Sequence, residues 1–242
     1  MRSPLLLALG LASCHLSLHE GITVDGTRLE THHEELLTLE AWPSEGLTIE
    51  SHQGDVRAEP DAGPITIRAE VYERSPGEAH LLMENGRLSV QAPGGAPCAI
   101  GRVELRVRGP VHGLSLTTGY GDVELRDIEV TGRLALSSGM GDLTVRGVGQ
   151  PESFELSTGT GDIRVVDARP ARFRASTGFG DLDVERLETS EAELSSGMGD
   201  VQIERSKGGR LKAETGFGDV ELVESSFDSR ELDTGLGSVS SR

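Results

Sequence analysis

The strongest constraint on this chain is a five-residue phrase that returns seven times at nearly constant spacing. Thr118-Gly119-Tyr120-Gly121-Asp122 recurs as Ser138-Gly139-Met140-Gly141-Asp142, Thr158-Gly159-Thr160-Gly161-Asp162 and Thr177-Gly178-Phe179-Gly180-Asp181. It continues as Ser196-Gly197-Met198-Gly199-Asp200 and Thr215-Gly216-Phe217-Gly218-Asp219, and ends as Thr234-Gly235-Leu236-Gly237-Ser238, without the aspartate. Equivalent positions lie 20, 20, 19, 19, 19 and 19 residues apart. A unit this short has too little apolar surface to fold alone. Copies at constant spacing bury that surface by stacking on one another.

Each copy is flanked by strict alternation of apolar and polar residues. Leu114 and Leu116 precede the first phrase, and Val123 and Leu125 follow it. The next copies give Leu134/Leu136 with Leu143/Val145, and Phe154/Leu156 with Ile163/Val165. A period of two marks half-buried strands. Two glycines around one residue make a sharp corner. The unit therefore reads strand, glycine corner, strand, looser corner. The fold class expected is all-β, a parallel β-solenoid (β-helix) with 19–20-residue coils; its handedness and number of faces stay open. Towards the N-terminus the pattern becomes irregular. Leu47-Thr48-Ile49-Glu50 before Gly54-Asp55-Val56 is a degenerate copy, and 65–71, 88–90 and 103–107 alternate. Residues 36–110 are expected as irregular N-terminal strands capping the solenoid, and residues 111–242 as its regular coils. At the far end Arg230 replaces an apolar residue, and the polar run Ser238 to Arg242 blunts an open sheet edge.

The start of the chain has one arginine and then a short apolar run, Leu5 to Ala12, too short to cross a bilayer and suited to a secretory signal. Leu11-Ala12-Ser13-Cys14 resembles the lipobox of bacterial lipoproteins. That resemblance implies removal of residues 1–13 as a lipoprotein signal peptide and a lipidated Cys14. Residues 14–35 then read as the lipidated cysteine and a polar tether. The membrane is a partner through the lipid anchor. His15 stands where an aspartate would hint at inner-membrane retention, so the envelope location leans towards the outer membrane.

The repeated corner also resembles a bacterial adhesin family built on a domain of unknown function, number 4097, over roughly residues 36–238. The resemblance implies the solenoid fold and an envelope location, and brings no catalytic residues with it. Composition agrees. With 23 Lys+Arg against 40 Asp+Glu the net charge is −17, which repels phosphate backbones and argues against nucleic acid. Phosphate loops, dinucleotide motifs and serine-nucleophile elbows are absent from the sequence, and no enzyme activity is expected. A groove of Arg, Lys and aromatics for cleaving polysaccharide is not suggested by a chain with 3% aromatics.

Three rows of side chains follow from stacking. Asp122, Asp142, Asp162, Asp181, Asp200 and Asp219 would stand about 5 Å apart and repel by about 1 kcal/mol per neighbour in water. Corner backbone N–H groups can offset this, or bound cations. Calcium is the single candidate cofactor, weakened because the aspartate lies one position early relative to the calcium-binding nonapeptide; no metal site is assigned. The residues between the glycines, Tyr120, Met140, Thr160, Phe179, Met198, Phe217 and Leu236, either fill the corner, the commoner use of such a row, or form an exposed stripe. The Ser/Thr before the first glycine is expected to hydrogen-bond along the stack. Cys98 has no partner suggesting a nucleophile, and His32-His33, pointing to opposite faces of one strand, are not a metal pair. The function expected is a non-catalytic, lipid-anchored envelope module, adhesin-like, with a protein or polysaccharide partner. The alternative is an envelope-stress regulator that binds cationic peptides or a membrane signalling partner.

Overall fold

A computed structural model describes residues 21–242. The expected signal peptide and Cys14 lie outside the described residues. The irregular part comprises β1 (Ile22–Val24), β2 (Thr27–Leu29), β3 (Thr31–Leu39), β4 (Leu47–Ser51), β5 (Val56–Pro60), β6 (Ile65–Glu73), β7 (His80–Glu84), β8 (Arg87–Gln91) and β9 (Cys98–Val107). The regular coils comprise β10 (Val111–Tyr120), β11 (Val123–Arg126), β12 (Val130–Met140), β13 (Leu143–Val148), β14 (Ser153–Thr160), β15 (Ile163–Ala168) and β16 (Arg172–Phe179). They continue through β17 (Leu182–Met198), β18 (Val201–Glu204), β19 (Lys207–Phe217), β20 (Val220–Val223), β21 (Ser226–Leu236) and β22 (Val239–Ser241).

The chain is a β-solenoid with two parallel faces. One face stacks β4, β10, β12, β14, β16, the second half of β17, β19 and β21. The other stacks β5, β11, β13, β15, the first half of β17, β18, β20 and β22. Alternation fixes the register, because a slip of one residue would turn every leucine to water. Leu47, Leu114, Leu134, Phe154, Phe173, Ala192 and Leu211 align rung on rung. Val56, Val123, Leu143, Ile163, Leu182, Val201 and Val220 align opposite them. These rungs are almost wholly buried. Size varies in compensation: the mutually tilted rings of Phe154 and Phe173, with centroids 5.3 Å apart, sit beside Ala175 and Ala192. The degenerate copy at 47–56 is itself a coil, with Gly54 donating to the Tyr120 carbonyl at 2.6 Å.

The capping end mixes directions. β9 pairs with β5 in parallel, and β6 and β3 then add antiparallel. Residues 22–35, expected as part of a polar tether, are instead strands. β1 and β2 form a hairpin whose turn residues Asp25 and Gly26 both have positive φ, the geometry favoured by tight hairpins. Ile22 and Leu29 bury against Tyr72 and Ala99, forming a small second core. β1 and β2 are too short for alternation to reveal them, and the first five residues of β3, Thr31 to Glu35, are all polar.

Candidate functional site

The glycine corner is where the repeated side chains converge. At Gly141 φ is +145°, and a Cβ there would collide with the Gly121 carbonyl of the preceding coil. At Gly139 φ is ordinary, yet a Cβ would meet the Gly119 carbonyl. The second glycine is therefore required by conformation and stacking, and the first by stacking alone.

Each corner is bonded to its neighbours in both directions. The second glycine's N–H donates to the next coil's carbonyl, as Gly141 does to Thr160 at 2.9 Å. The aspartate's N–H turns the other way, where no backbone carbonyl meets it, and donates to the carboxylate of the preceding coil. Asp142, Asp162, Asp181 and Asp200 each donate to the aspartate before them at 2.8 Å, and Asp219 does so at 2.7 Å. Asp122 donates in the same way to Asp55 at 3.2 Å. Ser238, replacing the final aspartate, donates both its N–H and its hydroxyl to Asp219, at 2.7 and 2.9 Å. Those two bonds, the N–H first, hold the Asp219 carboxyl below the usual aspartate range. The aspartate row thus replaces a missing backbone acceptor, which offsets its own repulsion. Among the described residues no three His, Cys, Asp or Glu side chains gather as a metal site.

The Ser/Thr row fills the inside of the corner. Thr118 donates to the Gly54 carbonyl, Ser138 to Gly121, Thr158 to Gly141 and Thr177 to Gly161, at 2.8–3.0 Å. Because these buried hydroxyls occupy the interior, the residues between the glycines turn outward. The expectation that they fill the corner is overturned. Tyr120, Met140, Phe179 and Phe217 are each more than half exposed, with Met198 and Leu236 beside them, and all are in register. Next to this apolar ladder runs a shallow groove of about 390 Å³, lined by Asp142, Asp162, Asp181 and Asp200 with Asp183 and Arg164.

The second corner carries a repeat that residue types conceal. Asp127, Gly147, Asp167, Arg186, Arg205 and Glu224 all have φ between +46° and +66°. The left-handed residue turns the next side chain inward, burying Ile128, Val148, Ala168 and Leu187. Its surface is a mixed-charge groove of about 690 Å³ in which Arg169, Arg186, Arg205 and Lys207 meet Asp167 and Glu188. Arg186 bonds Asp167 at 2.6 and 2.9 Å and holds that carboxyl below its ordinary range.

Sequence reasoning also missed a carboxylate in the cap. Glu73 is buried and accepts N–H groups from Gly77, Glu78 and Ala79 at 2.7–2.8 Å, with His33 Nδ1 at 2.9 Å. Burial pushes this carboxyl up, but the amides and His33 outweigh it and leave it below the ordinary glutamate value. His32 stacks on Tyr72, so the two adjacent histidines do face apart. Cys98 is half-buried near the Val90 carbonyl, and burial pushes its thiol up, away from the reactive thiolate.

Comparison with known proteins agrees with this architecture. Residues 167–241 match the family described as Toastrack DUF4097, the family that the corner phrase resembles. The crystal structure of a putative adhesin from Bacteroides fragilis aligns with a TM-score of 0.59 at 12% identity, covering 88% of this chain and 98% of that one. A putative adhesin from Parabacteroides distasonis aligns with a TM-score of 0.50 at 12% identity, covering 88% and 97%. At that identity the likeness is one of fold. No curated protein matches the chain.

Proposed function

With residues 167–241 taken as a Toastrack DUF4097 segment, we propose that the chain is a non-catalytic interaction module of the bacterial cell envelope, anchored by lipid on Cys14 after removal of residues 1–13. The observation that carries this reading is the pairing of a rigid stacked body with an exposed apolar row along one edge. A monomeric protein seldom exposes a contiguous row of Phe, Met and Tyr without a partner for it. The two grooves at the corners are open, and their cations Arg164, Arg169, Arg186, Arg205 and Lys207 are already held in ion pairs, which suits a surface that binds more than one that turns over substrate. The partner is a protein or a polysaccharide outside this chain, and the outer membrane is the favoured location.

Protease treatment of intact and lysed cells tests the placement, with Cys14→Ser as control. Release of the variant from the membrane fraction is the expected result for the anchor. Digestion on intact cells supports a surface adhesin-like role. Protection until lysis moves the module to the periplasmic side. A Cys14→Ser chain that stays membrane-bound overturns the lipid anchor.

A further inference from the structure

The ladder side chains and the groove beside them have chemistry specific enough to name an occupant. We propose that the glycine-corner edge binds a cationic amphipathic helix lying along the solenoid axis. This rests on the interaction-module reading and gives it a site and a partner class.

The apolar half of the site is the row Tyr120, Met140, Phe179, Met198, Phe217 and Leu236, interrupted once by the exposed Thr160. These side chains stand beside the glycines of the same phrase, which carry none and are half-buried or exposed, so the row projects from a low ledge. Methionines in such a row adapt to varied apolar surfaces. The charged half is the line of aspartates two residues on. Each of Asp142, Asp162, Asp181 and Asp200 accepts one backbone N–H through Oδ1. A carboxylate has about four lone-pair sites, so each retains capacity for a cation from a ligand. Arg164, the one cation lining the groove, pairs with Asp183 at 3.4 Å.

Geometry selects the helix. From Tyr120 to Leu236 the row climbs coil by coil at about 4.8 Å each, so it spans about 29 Å. A helix of that length has about 19 residues, and its turn of about 5.4 Å is near the coil spacing. An extended strand repeats its same-face side chains at about 6.8 Å and falls out of step sooner. An apolar stripe at helical spacing then meets the ladder while flanking Lys or Arg side chains reach the aspartates. The same charge disfavours the other occupants. A second copy would bring two acidic rows together, and an anionic lipid surface would be repelled.

The test is titration of a designed 19-residue Leu/Lys amphipathic helix, about 29 Å long, against the full chain carrying Cys14→Ser. The probe's sequence-scrambled isomer serves as control. The expected result is affinity for the helix at least about tenfold above the isomer. The exposed triple variant Phe179→Ser/Met198→Ser/Phe217→Ser lowers it about tenfold with unchanged thermal melting. Asp162→Asn/Asp181→Asn/Asp200→Asn, which keeps the Oδ1 acceptors, lowers it several-fold and flattens its salt dependence. Equal affinity for helix and isomer, or indifference to the ladder variant, overturns the proposal. So does sedimentation showing a dimer that the ladder variant dissolves, since the occupant is then a second copy. The membrane and shaving results do not depend on the probe, so failure here leaves the envelope placement to its own test.

Discussion

The two corners of each coil reverse the chain equally well by opposite means. The glycine corner is narrowly specified: a second glycine at φ near +140°, a first glycine pressed against the coil below, and an aspartate acting as a backbone acceptor. The left-handed corner asks only that one residue accept a positive φ, and Asp, Gly, Arg and Glu all do so. Its side chains are free to vary because they lie outside the stack. What differs is how tightly each corner is enclosed by its neighbours. Enclosure makes sequence repeat, and openness lets it drift.

The largest expected effect is at the enclosed corner. Gly161→Ala sets a methyl against the Gly141 carbonyl at a φ of +143°. It should destabilise the solenoid by about 3 kcal/mol or more, read as a lowered urea midpoint. Asp162→Ala comes next: it leaves the Asp181 N–H without its acceptor, at a cost of about 1–2 kcal/mol, whereas Asp162→Asn should stay near wild type. Equal losses for Ala and Asn would make charge, rather than the acceptor, the reason for the row. At the open corner the sign reverses. Glu224→Gly relieves a left-handed glutamate at φ +46° and should change stability by no more than about +1 kcal/mol. A clear loss on denaturation would show that this corner is enclosed after all.

The smallest effect separates the corners electrostatically. Both Asp219 and Asp167 have depressed carboxyls, so the stability they contribute is present above their unfolded-state values and is lost as pH falls through the lower folded ones, below about pH 4. Asp219 is held by an N–H and a hydroxyl, Asp167 by a guanidinium. Salt at 1 M, with a screening length of about 3 Å, should raise the Asp167 value towards ordinary and leave Asp219 nearly unmoved, as followed by carboxyl NMR titration.

The same contrast explains what could be read from residues alone. The seven phrases and their flanking alternation specify strand, corner and register, because each is imposed by close stacking. From residues alone the second corner reads only as looser, since Asp127, Gly147, Asp167, Arg186, Arg205 and Glu224 share a backbone angle and no chemistry. Their common spacing, with Ile128, Val148, Ala168 and Leu187 just after, was the available signal. The ladder direction is hidden for a different reason. Apolar character at a corner does not distinguish inside from outside when a buried Thr or Ser hydroxyl, such as Thr158, already fills the interior. Glu73 and His33 meet across 40 residues with no repeat to link them.

Ser238 closes the aspartate row by supplying donors where each aspartate from Asp122 to Asp219 supplies both a donor and an acceptor. At the glycine corner every interior coil, by contrast, offers upward the same set of bonds that it receives from below. Such a unit is exchangeable: in-frame duplication of one 19-residue stretch inside the array would lengthen the rod by about 4.8 Å and leave its cap and terminus as they were. The length of the stack is then a heritable quantity that changes in whole steps, with no need to redesign either end.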